Sequence, residues 1–290
     1  MEEETPATIS TVRMKGAREA CRRLPSCERY VRNARQRLVG RYIGRGGPGE
    51  GQVVAAVIDL RGRSYDDYIG SVKRLYKGNV IRDARKSDRQ GFTCKPFVRA
   101  MCLPDIVAIN RSKPERCGKP MRNEYLKTVE AMGGAPAERL QLAPPDCPEH
   151  YDIWWGVFAP SPGHVQGDVV TDERLLAYID LRRLGSLALY SLILGHGEYL
   201  QHGIMYRLHF TIMEWILKRQ DAAARGIEFL MYAGYHQGSE GLKLWKKKTG
   251  FEPARLVDGD GAGGTGPAFG REVALRSKLE GIWKKLKGLI

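Results

Sequence analysis

The sequence predicts a mixed α/β fold in which an antiparallel meander joins a parallel β-α-β pair, flanked by helices. Two apolar runs, Leu175–Leu181 and Leu187–Leu194, are separated only by Arg182-Arg183-Leu184-Gly185-Ser186, a hairpin signature, and an aromatic run, Ile153–Phe158, precedes them. A long amphipathic stretch, His202–Ala224, then carries Ile204, Leu208, Ile212, Trp215 and Ile216 on one side and is followed by another apolar run, Ile227–Tyr232. A strand-helix-strand unit of that length forces a parallel pair with a right-handed crossover. At 290 residues and 42% hydrophobic, the chain has enough apolar surface to bury one substantial core.

The elements follow in order. Residues 1–50 read as a basic extension: eleven Lys/Arg and two acids lie between Arg13 and Arg45, and the glycines from Gly44 form a hinge. The domain proper is expected over 51–257. It opens with a β-branched strand, Val53–Leu60. Ser64 and Asp67 then form a capping box for a helix whose Tyr68, Val72 and Leu75 share one stripe. Gly78-Asn79 breaks it, Ile81–Arg89 is a strongly basic helix, and Phe92–Val98 is a strand. Pro120 suits the first turn of a helix carrying Met121, Tyr125 and Val129, ended by Gly133-Gly134. Proline-rich and glycine-rich loops flank the aromatic strand. Beyond Tyr232, Gly238-Ser239-Glu240-Gly241 opens a short helix, Leu242–Lys248, and Gly250-Phe251-Glu252-Pro253 turns into a last strand near Ala254–Val257. Residues 258–290 are a linker with six glycines between Asp258 and Gly270, then a C-terminal amphipathic helix with Leu275, Leu279, Ile282, Leu286 and Leu289 on one face.

The formal charge of +14 favours partners rich in phosphate or carboxylate. The acidic start MEEETPATIS is unlike a signal peptide, no run of about 18 apolar residues exists, and six cysteines fall below disulfide-scaffold density. A soluble, cytoplasmic protein is expected. No C-x-x-C or H-E-x-x-H occurs, and His202 and His209 stand about 10 Å apart along a helix, so no metal is expected.

The strand and helix order from Ile153 to Val257, with Tyr-His-Gln-Gly-Ser-Glu-Gly-Leu-Lys-Leu-Trp-Lys-Lys-Lys-Thr-Gly-Phe-Glu-Pro at 235–253, resembles the GNAT superfamily of N-acyltransferases. Ile58-Asp59-Leu60, Tyr68, Arg82-Asp83-Ala84-Arg85-Lys86 and Gly91-Phe92 upstream are similar to the Fem-type aminoacyltransferases of that superfamily. The resemblance spans residues 50–257 and implies a GNAT-like mixed sheet. It also implies direct transfer of an acyl or aminoacyl group from acyl-CoA, acetyl-CoA by default, or from aminoacyl-tRNA, to an amine-bearing acceptor. Where the superfamily places its pyrophosphate loop, this chain has only the glycines of Leu194-Gly195-His196-Gly197-Glu198-Tyr199-Leu200-Gln201-His202-Gly203 in common.

N-acyl transfer needs a neutral amine, a polarised carbonyl and an acid for the leaving group. Ligands of open α/β sheets bind at the carboxyl ends of the strands. The catalytic candidates there are His196 and Glu198 as base, and Tyr232 and His236 as acid. Gly195, Gly197, Gly203, Ser239 and Lys243 are candidates for the donor's phosphates. Arg116, Ser112 and Tyr199 are candidates for the acceptor, and Arg82, Arg85 and Lys86 for an anionic partner. Each has a plain structural alternative: tight-turn glycines, an N-cap serine, a core tyrosine, a solvated basic face. DNA or tRNA binding through the basic arm fits the charge, as does a DNA-base-modifying acyltransferase or a non-catalytic nucleic-acid binder of the same fold.

Overall fold

The computed structural model describes residues 10–15, 21–39, 41–44, 53–116 and 119–258. Nine strands form one sheet: β1 Ser10–Met14, β2 Ile43–Gly44, β3 Ala55–Asp59, β4 Thr93–Phe97, β5 His150–Pro160, β6 Glu173–Leu184, β7 Leu187–Gly195, β8 Phe229–Gly234 and β9 Glu252–Asp258. Their order is β1-β9-β3-β8-β7-β6-β5-β4, with β2 beside β9. Strands β4 to β7 are a four-strand antiparallel meander, β7 and β8 are parallel, and β3 enters antiparallel between β8 and β9. This is the expected GNAT-like mixed sheet.

Helices α2 Tyr65–Leu75, α3 Asn79–Arg89, α5 Ile204–Lys218 and α6 Glu240–Lys248 share a core with Ile58, Val157, Ile179, Ala188 and Leu230. A separate core joins α4, Leu103–Arg111, to Phe97, Phe158, Leu175, Tyr178 and Leu194. Ile179 and Tyr178 are neighbours on β6 and fall in different cores, as the two-residue period of a strand requires. The capping box of α2 is formed: Asp67 N–H donates to Ser64 Oγ (3.1 Å) and Ser64 N–H to Asp67 Oδ2 (3.0 Å). Tyr68 and Val72 are buried as expected, but Leu75 is exposed, because the helix ends there.

Several segments differ from expectation. Residues 120–132 are not a helix: Lys119–Pro120 pairs with Glu115–Arg116, and 3-10 turns follow at Asn123–Tyr125 and Glu130–Met132. Met121, Tyr125 and Val129 still reach the core, from extended and turn backbone. The helix of this region is instead α4, with Pro104 in its first turn and Ile106, Val107 and Ile109 buried. Helix α5 stops at Lys218 rather than Ala224, because Arg219 adopts a left-handed conformation (φ 53°). Within the basic extension, Ser10–Met14 pairs in parallel with Ala254–Asp258, and α1, Pro25–Val39, packs against β5. The described part of that extension is therefore built into the sheet. The C-terminal linker and amphipathic helix lie outside the described residues.

Where β7 and β8 part decides where a site can form. Their pairing covers only Leu187–Leu189 with Phe229–Met231. Both strands then bulge: β7 carries Ser191 as an extra residue against Asp180 and Leu181 of β6, and β8 kinks at Ala233 (φ 51°), where its register to β3 shifts. Each bulge bends its own strand. The parallel pair thus opens as a V towards its carboxyl ends.

Candidate functional site

The residues singled out from the sequence fall into several places. The turn after β7 and the end of α4 come together as one cluster. Arg116 Nη2 donates to the backbone oxygens of Ile109 (3.0 Å) and Gly195 (3.0 Å) and to Ser112 Oγ (3.2 Å). Ser112 Oγ in turn accepts from Gly197 N–H (2.9 Å). His196 is buried, its N–H donating to Leu176 O (2.8 Å), and its ring lies 5.4 Å from that of Tyr199. Burial, then the charge of Arg174, lowers its pKa and keeps the imidazole neutral. The Glu198 carboxylate is 79% exposed and 4.0 Å from His196 Nδ1. Arg116 and Ser112 here hold backbone.

The three glycines of this turn face protein. A Cβ on Gly203 would stand 1.9 Å from Asp83 O, where α3 crosses the start of α5; one on Gly197 would meet Lys113 and Ser112 within 3.0 Å; one on Gly195 would meet Leu200 and Met205 at 2.8 Å. Gly203 N–H donates to Leu200 O (3.2 Å), and Ser87 Oγ to His202 O (2.8 Å). α3 therefore covers the α5 N-terminus, and close packing accounts for these glycines.

The remaining candidates lie apart. Tyr232 is buried in an aromatic cluster with Tyr190, Trp245 and Phe251, on the α5 side of the V. His236 is exposed on the β8–α6 turn against Tyr235. Ser239 N-caps α6, accepting from Leu242 N–H (3.3 Å), and Lys243 pairs with Glu240 (2.7 Å). Arg82, Arg85 and Lys86 occupy the exposed face of α3, Lys86 paired with Asp83 at 2.7 Å.

His209, set aside in the sequence as a poor metal ligand, sits at the centre of that aromatic cluster. Its Nε2 is 2.7 Å from Tyr68 Oη and its Nδ1 is 2.9 Å from Tyr190 Oη. Tyr68 O–H donates to Thr249 O (2.9 Å), which can only accept. Tyr68 therefore accepts from His209 Nε2–H, and Tyr190 donates to Nδ1. Burial lowers the imidazole to about 3, so it is neutral.

The cavity with converging polar groups is on the other face. A basin of about 640 Å³ lies between α4, residues 122–132 and the meander, lined by Asn110, Tyr125, Trp154, Tyr178, Arg182 and Ser191 among others. Its floor is aromatic: the Trp154 and Tyr178 rings lie 5.3 Å apart, and Tyr178 O–H donates to Asn110 Oδ1 (2.7 Å). Arg99, Arg122, Lys127 and Arg182 outnumber its one acid, Glu124. Arg99 stacks 5.4 Å over Trp154. Ser191, the bulged residue of β7, lies on its wall.

Behind that wall is Asp180, fully buried. Arg182 Nε and Nη2 donate to its Oδ2 at 3.0 and 2.8 Å, while Oδ1 has no hydrogen bond among the described residues. Burial raises its pKa, Arg182 pulls the other way, and the Asp152 charge adds to the rise. His196 lies four residues beyond the partner of Asp180 on β7, Leu192, or about 13 Å along the strand. Asp180 was passed over in the sequence, although an Asp-x-Arg inside an otherwise apolar strand is a visible signal. Ile-Asp-Leu-Arg occurs twice, at 58–61 and 179–182. Arg61 likewise pairs with Asp59 (2.6 Å), whose side chain is 44% exposed.

The meander, the opened parallel pair and the helix between its strands define a GNAT-like fold. Solved structures similar to this chain include FemX, at 12% identity and a TM-score of 0.46 over 77% of this chain and 66% of that one. The C-terminal domain of a lysylphosphatidylglycerol synthetase from Agrobacterium fabrum is similar at 13% identity and a TM-score of 0.35, over 69% and 58%. A tandem GNAT protein from the clavulanic acid biosynthesis pathway is similar at 14% and 0.34, over 86% and 60%. The chain spans less than two thirds of the length of each. No family model and no curated protein sequence matches. No helix among the described residues is long and apolar enough to cross a membrane.

Proposed function

We propose that this protein transfers an acyl group from an activated ester or thioester to a primary amine in the basin on the meander face. The observation that carries the reading is the buried Asp180 carboxyl behind Ser191, where β7 bulges and leaves β8. In this reaction the amine nitrogen attacks the donor carbonyl carbon and the carbon–oxygen or carbon–sulfur bond breaks. Asp180, reached through the Ser191 hydroxyl, takes the proton the amine gives up and returns it to the departing oxygen or sulfur. A desolvated carboxylate with a raised pKa is a better base than an exposed one. Arg182 keeps one oxygen occupied and leaves Oδ1 to the proton.

The donor we favour is aminoacyl-tRNA. Aromatic rings beneath a cationic rim suit a stacked base and its phosphates. The exposed Arg29, Arg32 and Arg37 lie on α1, whose Tyr30 donates to Asp152 (2.5 Å) and so adjoins Arg182. Acyl-CoA is the second reading, supported by the V between β7 and β8. Binding of charged tRNA, uncharged tRNA and acetyl-CoA to the full chain, followed by single-turnover transfer to added amines, tests both. Binding of charged tRNA with amine-dependent loss of the aminoacyl ester supports the favoured donor. Binding of acetyl-CoA alone replaces it with the second, and binding of neither overturns the acyl-transfer reading.

A further inference from the structure

We propose that Cys21, Cys27, Cys147 and His150 form a structural zinc site that ties the basic N-terminal helix to the start of β5. Cys21 precedes α1, Cys27 lies in its first turn, Cys147 ends the proline-rich loop and His150 begins β5. All four are buried, and their ligand atoms lie within 4.8 Å of one another. Cys21 Sγ is 3.8 Å from Cys147 Sγ; His150 Nδ1 is 3.4 Å from Cys21 Sγ and 3.7 Å from Cys147 Sγ.

Those three separations match three edges of a metal tetrahedron, and Cys27 Sγ lies within 4.8 Å of the other ligand atoms. With zinc–sulfur near 2.3 Å and zinc–nitrogen near 2.0–2.1 Å, a tetrahedral site has sulfur–sulfur edges of about 3.8 Å and sulfur–nitrogen edges of about 3.6 Å. A disulfide would need sulfurs at about 2.05 Å. Three thiolates and one imidazole are a closed donor set for zinc, and four protein ligands leave no open position for substrate. Arg23 N–H donates to Cys21 Sγ (3.4 Å).

The cluster is a satellite of the three cysteines and Leu24, separate from the main cores. A metal here closes a loop of more than a hundred residues. Absence of C-x-x-C in the sequence argued against a structural zinc, but the ligands come as C-x5-C and, far downstream, C-x2-H. The site also sets a functional position: Tyr30, three residues after Cys27, donates to Asp152, beside Arg182 of the basin, and its hydroxyl lies 2.8 Å from Tyr151 O.

The test is the metal content of the full chain purified under reduction, by mass spectrometry, with cobalt substitution as a second readout. The expected result is about one zinc per chain and, with cobalt, the absorption of a tetrahedral thiolate site. Cys147→Ser and His150→Ala should each lower zinc affinity by more than about tenfold, whereas Cys94→Ser, on β4 and outside the cluster, should retain the metal. Should the cluster variants fail to fold, the metal content and cobalt spectrum of the unaltered chain still decide. A folded, reduced chain that neither carries zinc nor takes up cobalt overturns the proposal, as does a Cys21–Cys147 disulfide found in the intact protein.

Discussion

Arg182 grips a single oxygen of Asp180, at 3.0 and 2.8 Å, and the other has no hydrogen bond among the described residues, in a carboxyl that has no exposed surface. A buried carboxylate half-satisfied in this way costs stability unless something else uses the second oxygen. Asp59 and Arg61 repeat the pairing at the surface, where solvent meets the need. Asp180→Asn should therefore lower the transfer rate by about 10²–10⁴-fold with the substrate KM little changed, and Asp59→Asn should leave the rate alone. The pH profile separates a base from a structural role. In the unaltered protein the rate should rise with pH through the raised pKa of Asp180 and then level. That limb should vanish in Asp180→Asn. A limb that persists in the variant removes Asp180 from the chemistry.

His209 makes stability depend on pH in a definite direction. Its folded pKa, about 3, is below the ordinary 6.5, so between those values the unfolded chain binds the extra proton. The contribution is whole above pH 6.5 and is lost as pH falls towards 3, up to roughly 4 kcal/mol. Urea unfolding across this window should show a slope that His209→Gln reduces. Equal slopes in the two proteins would mean that other groups carry the acid sensitivity.

Gly203 separates a packing glycine from a phosphate-binding one. It has φ 72° and Asp83 O where a Cβ would stand, so Gly203→Ala should destabilise the fold by more than about 2 kcal/mol. Gly241→Ala, with only Ser239 Oγ nearby at 3.9 Å, should be near neutral. Thermal unfolding compares them. A Gly203→Ala protein of full stability that has lost donor binding would instead assign that glycine to the donor.

Asp105 is the anchor of the glycine-rich loop. It is buried in the first turn of α4 and accepts from Leu175 N–H (2.8 Å), from Gln166 and, at 3.1 Å, from His164. Asp105→Ala strands three polar partners and should cost about 3 kcal/mol or more. Denaturant titration measures it, and a change below about 1 kcal/mol would show that the antiparallel pairing of Val165–Gln166 with Val169–Val170 holds without the carboxylate.

Local chemistry was legible where it was self-contained. The capping box at Ser64 and Asp67, the hairpin at Gly185 and the crossover helix after β7 each depend on residues close in the chain, and each formed, the helix ending six residues short of Ala224. The helix expected at residues 120–132 failed because its apolar period was real but served a turn-rich strap over α4. The basic extension read as an appendage because nothing in its composition shows that Ser10–Met14 adds to the edge of β9.

The site was less legible than the fold, for a physical reason. Period, capping and turn chemistry are properties of neighbours in the chain, so sequence by itself determined the meander and the parallel crossover. Which glycine is packed and which is open depends on a helix 120 residues away: Asp83 decides Gly203. Which aspartate is buried depends on sheet position: Asp180 is central and Asp59 ends a strand, though both stand in Ile-Asp-Leu-Arg. The four atoms of the proposed zinc site come from two segments more than a hundred residues apart. Only tertiary structure places such groups within bonding distance, because desolvation and ligation act through space.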